Sequence, residues 1–175
     1  MKKYIVLFLL LISVAKADSY LGFEYYRDKN SFTEDKFTAY NTRYVYLVGM
    51  KTDDFRFEFG FGIGQENHNH TYSYKTLLLN AYYNVFKFDN FDIFGGAILG
   101  LDKGRRLNNG EKNDDSGFIY GGQVGVTYKL TKHINFDIAY IYQVVENIYK
   151  LPTTGDAYEE HIDSNSAKIG VRYIF

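Results

Sequence analysis

The sequence predicts an all-β fold, an eight-stranded antiparallel up-and-down transmembrane β-barrel with both termini at one end. Three observations predict it. Period-two alternation of apolar and polar residues recurs eight times along the chain, the pattern of strands with two different faces. Most of these segments run about 9 to 13 residues, the length a tilted strand needs to cross a bilayer, whereas strands of soluble proteins average nearer 5 or 6. The connections between them alternate long and short.

The first segment, 19–27, sets Leu21, Phe23 and Tyr25 on one face and Gly22, Glu24 and Tyr26 on the other. The second, 39–50, sets Tyr40, Tyr44, Tyr46, Val48 and Met50 against Asn41 and Arg43. The third is the most regular: Phe55, Phe57, Phe59, Phe61 and Ile63 against Arg56, Glu58, Gly60, Gly62 and Gly64. In the fourth, 74–87, Leu77, Leu79, Ala81, Tyr83 and Val85 oppose Asn80, Tyr82 and Asn84, and the continuous run Leu77 to Leu79 leaves its register least defined.

The fifth, 91–101, alternates Phe91, Ile93, Ala97, Leu99 and Leu101 with Asp92, Gly96 and Gly100. The sixth, 117–130, sets Phe118, Tyr120, Val124, Val126 and Tyr128 against Gly121, Gln123, Gly125 and Thr127. The seventh, 134–145, sets Ile134, Phe136, Ile138, Tyr140 and Tyr142 against Asn135, Asp137 and Gln143. The eighth, 166–175, sets Ala167, Ile169, Val171, Tyr173 and Phe175 against Lys168, Gly170 and Arg172. Long polar loops are expected near 28–38, 65–73, 102–116 and 146–165, and tight turns at 51–54, around Asp89-Asn90 and at 131–133. Long extracellular loops and short periplasmic turns are the habit of outer-membrane barrels, which puts both termini on the periplasmic side.

The 175 residues suit one domain. Residues 1–17 read as a cleaved signal peptide: Lys2 and Lys3, an apolar run from Tyr4 to Ala15, then Ala15-Lys16-Ala17. A segment of twelve residues is too short for a spanning helix, which needs roughly 20. The mature domain is then 18–175, with 17 basic side chains against 21 acidic, a net of −4. No basic stretch stands out, so no nucleic-acid partner is expected. The absence of cysteine removes disulfides and thiolate metal sites. Tyr and Phe together number 33 and Pro appears once, a composition that favours strands.

The closing stretch Ala167 to Phe175 resembles the C-terminal signature of the small outer-membrane β-barrels, such as OmpX and the barrel domain of OmpA. That signature has a terminal Phe, an aromatic two residues earlier and apolar residues at alternate positions before that. The resemblance implies a place in the Gram-negative outer membrane, and it implies that Val171, Tyr173 and Phe175 form the signal read by the barrel-assembly machinery. The lack of Trp departs mildly from the family pattern, with Tyr and Phe left to form the interfacial girdles.

In lipid the apolar face must point outward and the sheet must close, because every backbone polar group needs a protein partner. The other face then carries Glu24, Glu58, Asp92 and Asp137 with Arg43, Arg56, Lys168 and Arg172 into the interior. Eight strands enclose a space that side chains just fill, so these four acids and four bases read as an ionic plug. The alternative of a soluble, lipocalin-like barrel would put them in water. The inward glycines Gly60, Gly62, Gly64, Gly96, Gly121 and Gly125 leave room, and a narrow porin-like channel is the second functional reading.

The chain offers little chemistry. Asn67-His68-Asn69-His70 lacks a carboxylate beside its imidazoles, and a solvated loop is the expectation. His161-Ile162-Asp163-Ser164-Asn165 approaches the His-x-Ser-Asn motif of outer-membrane lipid A deacylases, but with one residue too many. In a strand that spacing sends His161 and Ser164 to opposite faces, out of reach of each other. A lipid A-modifying enzyme is therefore a third reading, and no enzyme, metal or cofactor is expected. The expected partners are outer-membrane lipid, lipopolysaccharide (near the basic residues Lys103, Arg105, Arg106 and Lys112) and the assembly machinery. The expected state is monomeric, and the expected role is structural or surface-directed.

Overall fold

The computed structural model describes residues 17–32, 37–68, 70–108, 111–150 and 157–175. Of the expected signal segment 1–17, residues 1–16 lie outside the described residues. Eight strands follow in order: β1 (Asp18–Phe32), β2 (Phe37–Lys51), β3 (Phe55–His68), β4 (His70–Lys87), β5 (Phe91–Asn108), β6 (Glu111–Lys129), β7 (Ile134–Lys150) and β8 (Ala157–Ile174). Each pairs antiparallel with its neighbours in sequence, and β8 pairs with β1 to close the barrel. No helix among the described residues is long and apolar enough to cross a membrane; crossing falls to the strands.

The pairing register fixes the shape. A row of partners starting at Tyr20 passes through Gly49, Glu58, Asn80, Ile98, Gly121, Gln143 and Ser164 and returns to β1 at Asn30, ten residues further on. Such a stagger tilts the strands, roughly 35–45° in barrels of this kind. It also brings inward residues from distant parts of the sequence to one level.

Alternation places the side chains as the eight patterns require. Phe57, Phe59 and Phe61 face out on β3, Leu79 and Leu99 on β4 and β5, and Ile138 and Ile169 on β7 and β8, all exposed. Arg56, Glu58, Asn80, Asp137 and Arg172 face in and are buried. Soluble monomers rarely expose contiguous apolar patches beyond a few hundred Å². A belt of this kind around the whole circumference calls for lipid as its solvent.

Two features differ from the sequence reading. The strands are 14 to 19 residues long, so most of the residues expected as long loops belong to strand ends: 28–32, 65–68, 102–108 and 157–165 all continue the ladder. Backbone pairing needs only peptide groups, so it runs on past the point where the apolar alternation gives out. In β4 the ladder with β5 shifts between Asn84 and Phe86. This β-bulge gives one strand an extra residue, and both Val85 and Phe86 end up exposed. The Leu77–Leu79 ambiguity resolves with Leu78 inward.

The short connections are 52–54, 88–90 and 130–133. Thr52 and Thr131 hold two of them with their hydroxyls, which accept from the backbone N–H of Phe55 (3.1 Å) and of Ile134 (3.0 Å). Side-chain to backbone bonds of this kind replace ladder bonds at a turn.

The room expected above the inward glycines is taken. Tyr74 lies across from Gly64, Tyr82 from Gly96 and Phe94 from Gly125, each ring covering the glycine of a neighbouring strand. Large opposite small is how a tapering interior fills without strain. At Gly121 an added Cβ would stand 2.2 Å from the Tyr142 carbonyl oxygen and 2.7 Å from the Gln143 Cα, whereas at outward Gly95 it would meet nothing within 4 Å. Gly121→Ala is expected to destabilise the barrel by about 1–3 kcal/mol, the range for overpacking. Gly95→Ala should stay within about 0.5 kcal/mol. Urea unfolding midpoints in lipid vesicles, with heat-modifiable gel migration as the folding check, measure both.

Candidate functional site

The inward faces of the strands define the site, and their order along each strand divides it into layers. On β1 the inward residues run Tyr20, Glu24, Tyr26, Asp28; on β8, from its far end, they run Ser166, Lys168, Arg172, Ile174. The register sets Tyr26 opposite Lys168, and Asp28 opposite Ser166. An ionic layer therefore lies toward the short turns and a second polar group toward the opposite end, where the sequence places the long loops and which is called the long-loop end.

Six of the eight charges singled out in the sequence meet in the first layer. Glu24, Glu58 and Asp137 face Arg56, Lys168 and Arg172, and all six are buried. Arg172 is the hub. Its Nη2 lies 2.7 Å from Glu24 Oε1 and 2.7 Å from Glu58 Oε1, its Nε donates to Glu58 Oε1 at 2.8 Å, and its Nη1 pairs with Asp137. Lys168 Nζ lies 3.0 Å from Glu24 and donates to Gln123 Oε1 at 3.0 Å. Arg56 Nη2 donates to Asp137 Oδ2 at 2.9 Å and its Nη1 to Thr127 at 3.2 Å. Three acids against three bases leave the layer neutral, the condition under which buried charges persist.

Tyrosines complete the layer. Tyr20 and Tyr82 donate to Glu58 at 2.9 and 2.7 Å, and Tyr26 donates to Glu24 at 2.6 Å. The Arg56 guanidinium stacks over the Tyr82 and Phe94 rings, 4.1 and 4.7 Å from their centroids. Rings carry charge contact and fill space at once.

The other two singled-out charges stand apart from this layer. Arg43 pairs at 3.3 Å with Asp28, and Tyr74 (3.2 Å) and Ser166 also donate to that carboxylate. Asp92 pairs at 2.7 Å with Lys129 at the short-turn end. Sequence reasoning missed Asp28, assigned to a loop, and Lys129, assigned to no face. Alternation extended two residues past Tyr26 would have found the first. Between the ionic layer and the Asp28–Arg43 group lies an apolar cluster built on Tyr26, Val45, Leu78, Ile98 and Ile141.

Outside the barrel, Val171, Tyr173 and Phe175 point outward along the last strand. Tyr173 stacks on His133 and packs edge-on against Phe175, and the Phe175 N–H donates to the Ser19 carbonyl at 3.0 Å. His161 faces out, with Nδ1 3.9 Å from Glu146, while Ser164 is buried inside. The barrel wall separates them. The side chains of His68 and His70 lie outside the described residues. No metal-capable group of three or more His, Asp or Glu occurs among the described residues.

A closed antiparallel barrel with an apolar exterior and charges held inside is the architecture of integral outer-membrane proteins. Residues 5–175 match the family model described as outer membrane protein beta-barrel domain, and the chain belongs to that family. It is a protein of the bacterial outer membrane. No curated protein matches it in sequence. Among solved structures, Neisserial surface protein A is similar with a TM-score of 0.74 at 18% identity, covering 90% of this chain and 97% of that one. Ail, the attachment invasion locus protein of Yersinia pestis, is similar with a TM-score of 0.54 at 13% identity, covering 91% and 99%. The N-terminal barrel domain of Pseudomonas aeruginosa OprF gives 0.51 at 16%, covering 88% and 97%. At these identities the likeness is one of fold.

Removing the hub would leave three buried carboxylates facing two cations. Arg172→Met, close in volume and uncharged, is expected to cost about 3–5 kcal/mol, the range for orphaning a buried charge. Lys29→Met, exposed on the outward side of β1, should change stability by less than about 0.5 kcal/mol. Denaturant titration in vesicles compares the two.

Proposed function

We propose that this barrel is a structural element of the outer membrane, seated as a monomer in lipid and lipopolysaccharide, whose long-loop end serves envelope integrity or surface interaction. One observation carries this reading: the ionic layer and the apolar cluster above it fill the bore in succession. What the protein offers to other molecules is then its outer surface. An apolar wall on all sides fits lipid contact around the full circumference.

The outward face supports lipopolysaccharide as a partner. Lys75 on β4 and Lys103 on β5 stand directly opposite each other, both exposed, one outward step beyond the apolar pair Leu77 and Leu101. Like charges directly opposite on a sheet repel. A phosphate at the membrane boundary relieves that repulsion by pairing with both. Arg27 and Lys29 add exposed positive charge on the outward side of β1. Val171, Tyr173 and Phe175, outward on the closing strand, suit recognition by the assembly machinery before the wall is buried in lipid.

Two measurements test the reading. Refolded protein in planar bilayers should give no discrete conductance steps; reproducible steps across repeated trials would replace it with the narrow-pore alternative. Added lipopolysaccharide should raise the unfolding temperature of the native barrel, and Lys75→Gln with Lys103→Gln should remove most of that rise. An equal rise in the double variant removes lipopolysaccharide contact at this pair.

A further inference from the structure

At the short-turn end the barrel mouth holds a cavity of about 370 Å³, lined among others by Lys51, Asn90, Lys129, Lys132 and Asn135. Three ammonium groups around one small cavity are unusual in a chain whose acidic side chains outnumber its basic ones by 21 to 20. Among the described residues, one of the three has an ion-pair partner: Lys129 lies 2.7 Å from Asp92.

Lys51 ends β2 on the inward side, where its partner on β3 is another cation, Arg56. Arg56 turns away into the barrel to meet Glu58 and Asp137. Asp18 stands across from Lys51 on β1, yet among the described residues no carboxylate comes within ion-pair distance of Lys51 or of Lys132. Lys132 is carried in by the turn between β6 and β7, which Thr131 holds in place through the backbone N–H groups of His133 and Ile134.

The lining is thus rich in donors: the ammonium groups of Lys51 and Lys132, neither in an ion pair among the described residues, and the side-chain amides of Asn90 and Asn135. Lysine serves phosphate as a point charge with three donors. Leu130, which also lines the cavity, is exposed and gives the lining one apolar edge.

We propose that this mouth is a binding site for a phosphate group, held by Lys51 and Lys132 and oriented by Asn90 and Asn135. Two sources share that chemistry: free phosphate, and the phosphate headgroup of a phospholipid in the adjacent leaflet. The site is independent of the long-loop end and of any role assigned there.

The test uses the full barrel refolded in a neutral maltoside detergent at low ionic strength, followed by NMR of the amides in the 130–133 turn. One arm adds inorganic phosphate. The other titrates the maltoside micelles with phosphatidylglycerol, against the maltoside alone. Saturable shifts at this turn are expected in at least one arm, and the arm that gives them identifies the source. Lys51→Gln with Lys132→Gln should weaken binding about tenfold or more, while Gln65→Ala, exposed toward the opposite end, should leave it unchanged. Heat-modifiable migration verifies that each variant is folded. Absence of saturable shifts in both arms overturns the proposal, as does equal binding by the folded double variant.

Discussion

Inside hydrocarbon a peptide N–H or C=O has no solvent partner, and each one left open costs several kcal/mol. The pairing of β1 with β8 answers that constraint for the whole sheet at once, since it turns two edges into one more ladder. Everything else in the molecule is conditional on it. Closure with a ten-residue stagger fixes the tilt and the bore, and the bore fixes how much side chain the interior must hold. The Phe175 N–H bond to Ser19 and the Ile174 N–H bond to His133 extend that closure to the last residues of the chain.

The interior answers two demands together. It must be filled, and each charge in it must be matched. Filling is done by pairing rings and branched chains with glycines on the neighbouring strand, as at Tyr74 with Gly64 and Phe94 with Gly125. Matching is done by placing one guanidinium where three carboxylates converge. Buried ion pairs are poor sources of net stability, because desolvation offsets most of the attraction. Their better-attested use is to specify register. In this barrel a one-residue slip of β8 would turn Arg172 into lipid and leave Glu24, Glu58 and Asp137 without it. The charges thus discriminate against wrong pairings even where they add little to the right one.

The two ends of the barrel differ in character. The short-turn end carries aromatic residues on its rim and lysines across its mouth, with turns fastened by threonine hydroxyls. At the other end the ladder continues beyond the apolar band into polar sequence, with exposed lysines on the outward side. A single sheet therefore meets three surroundings in succession, and the side chains change accordingly while the backbone pairing does not.

The alternation by itself determined the number of strands, their neighbours and the face on which each side chain lies, because a period of two is a local property that any stretch of six or eight residues displays. It also determined that lipid surrounds the wall and that Glu24, Arg43, Arg56, Glu58, Asp92, Asp137, Lys168 and Arg172 point into the bore. Strand length was read short, since backbone pairing continues where apolar periodicity stops. Tertiary structure alone decided which charge meets which. Arg172 and Glu24 are 148 residues apart, and Arg56 and Asp137 are 81 apart; their meeting depends on the stagger accumulated over successive registers, one of which contains a bulge. The same holds for the separation of Arg43 to Asp28 and of Asp92 to Lys129, and for the rings that close the space above the glycines. A face can be read one strand at a time, but a level within the barrel exists only once all eight strands are in place.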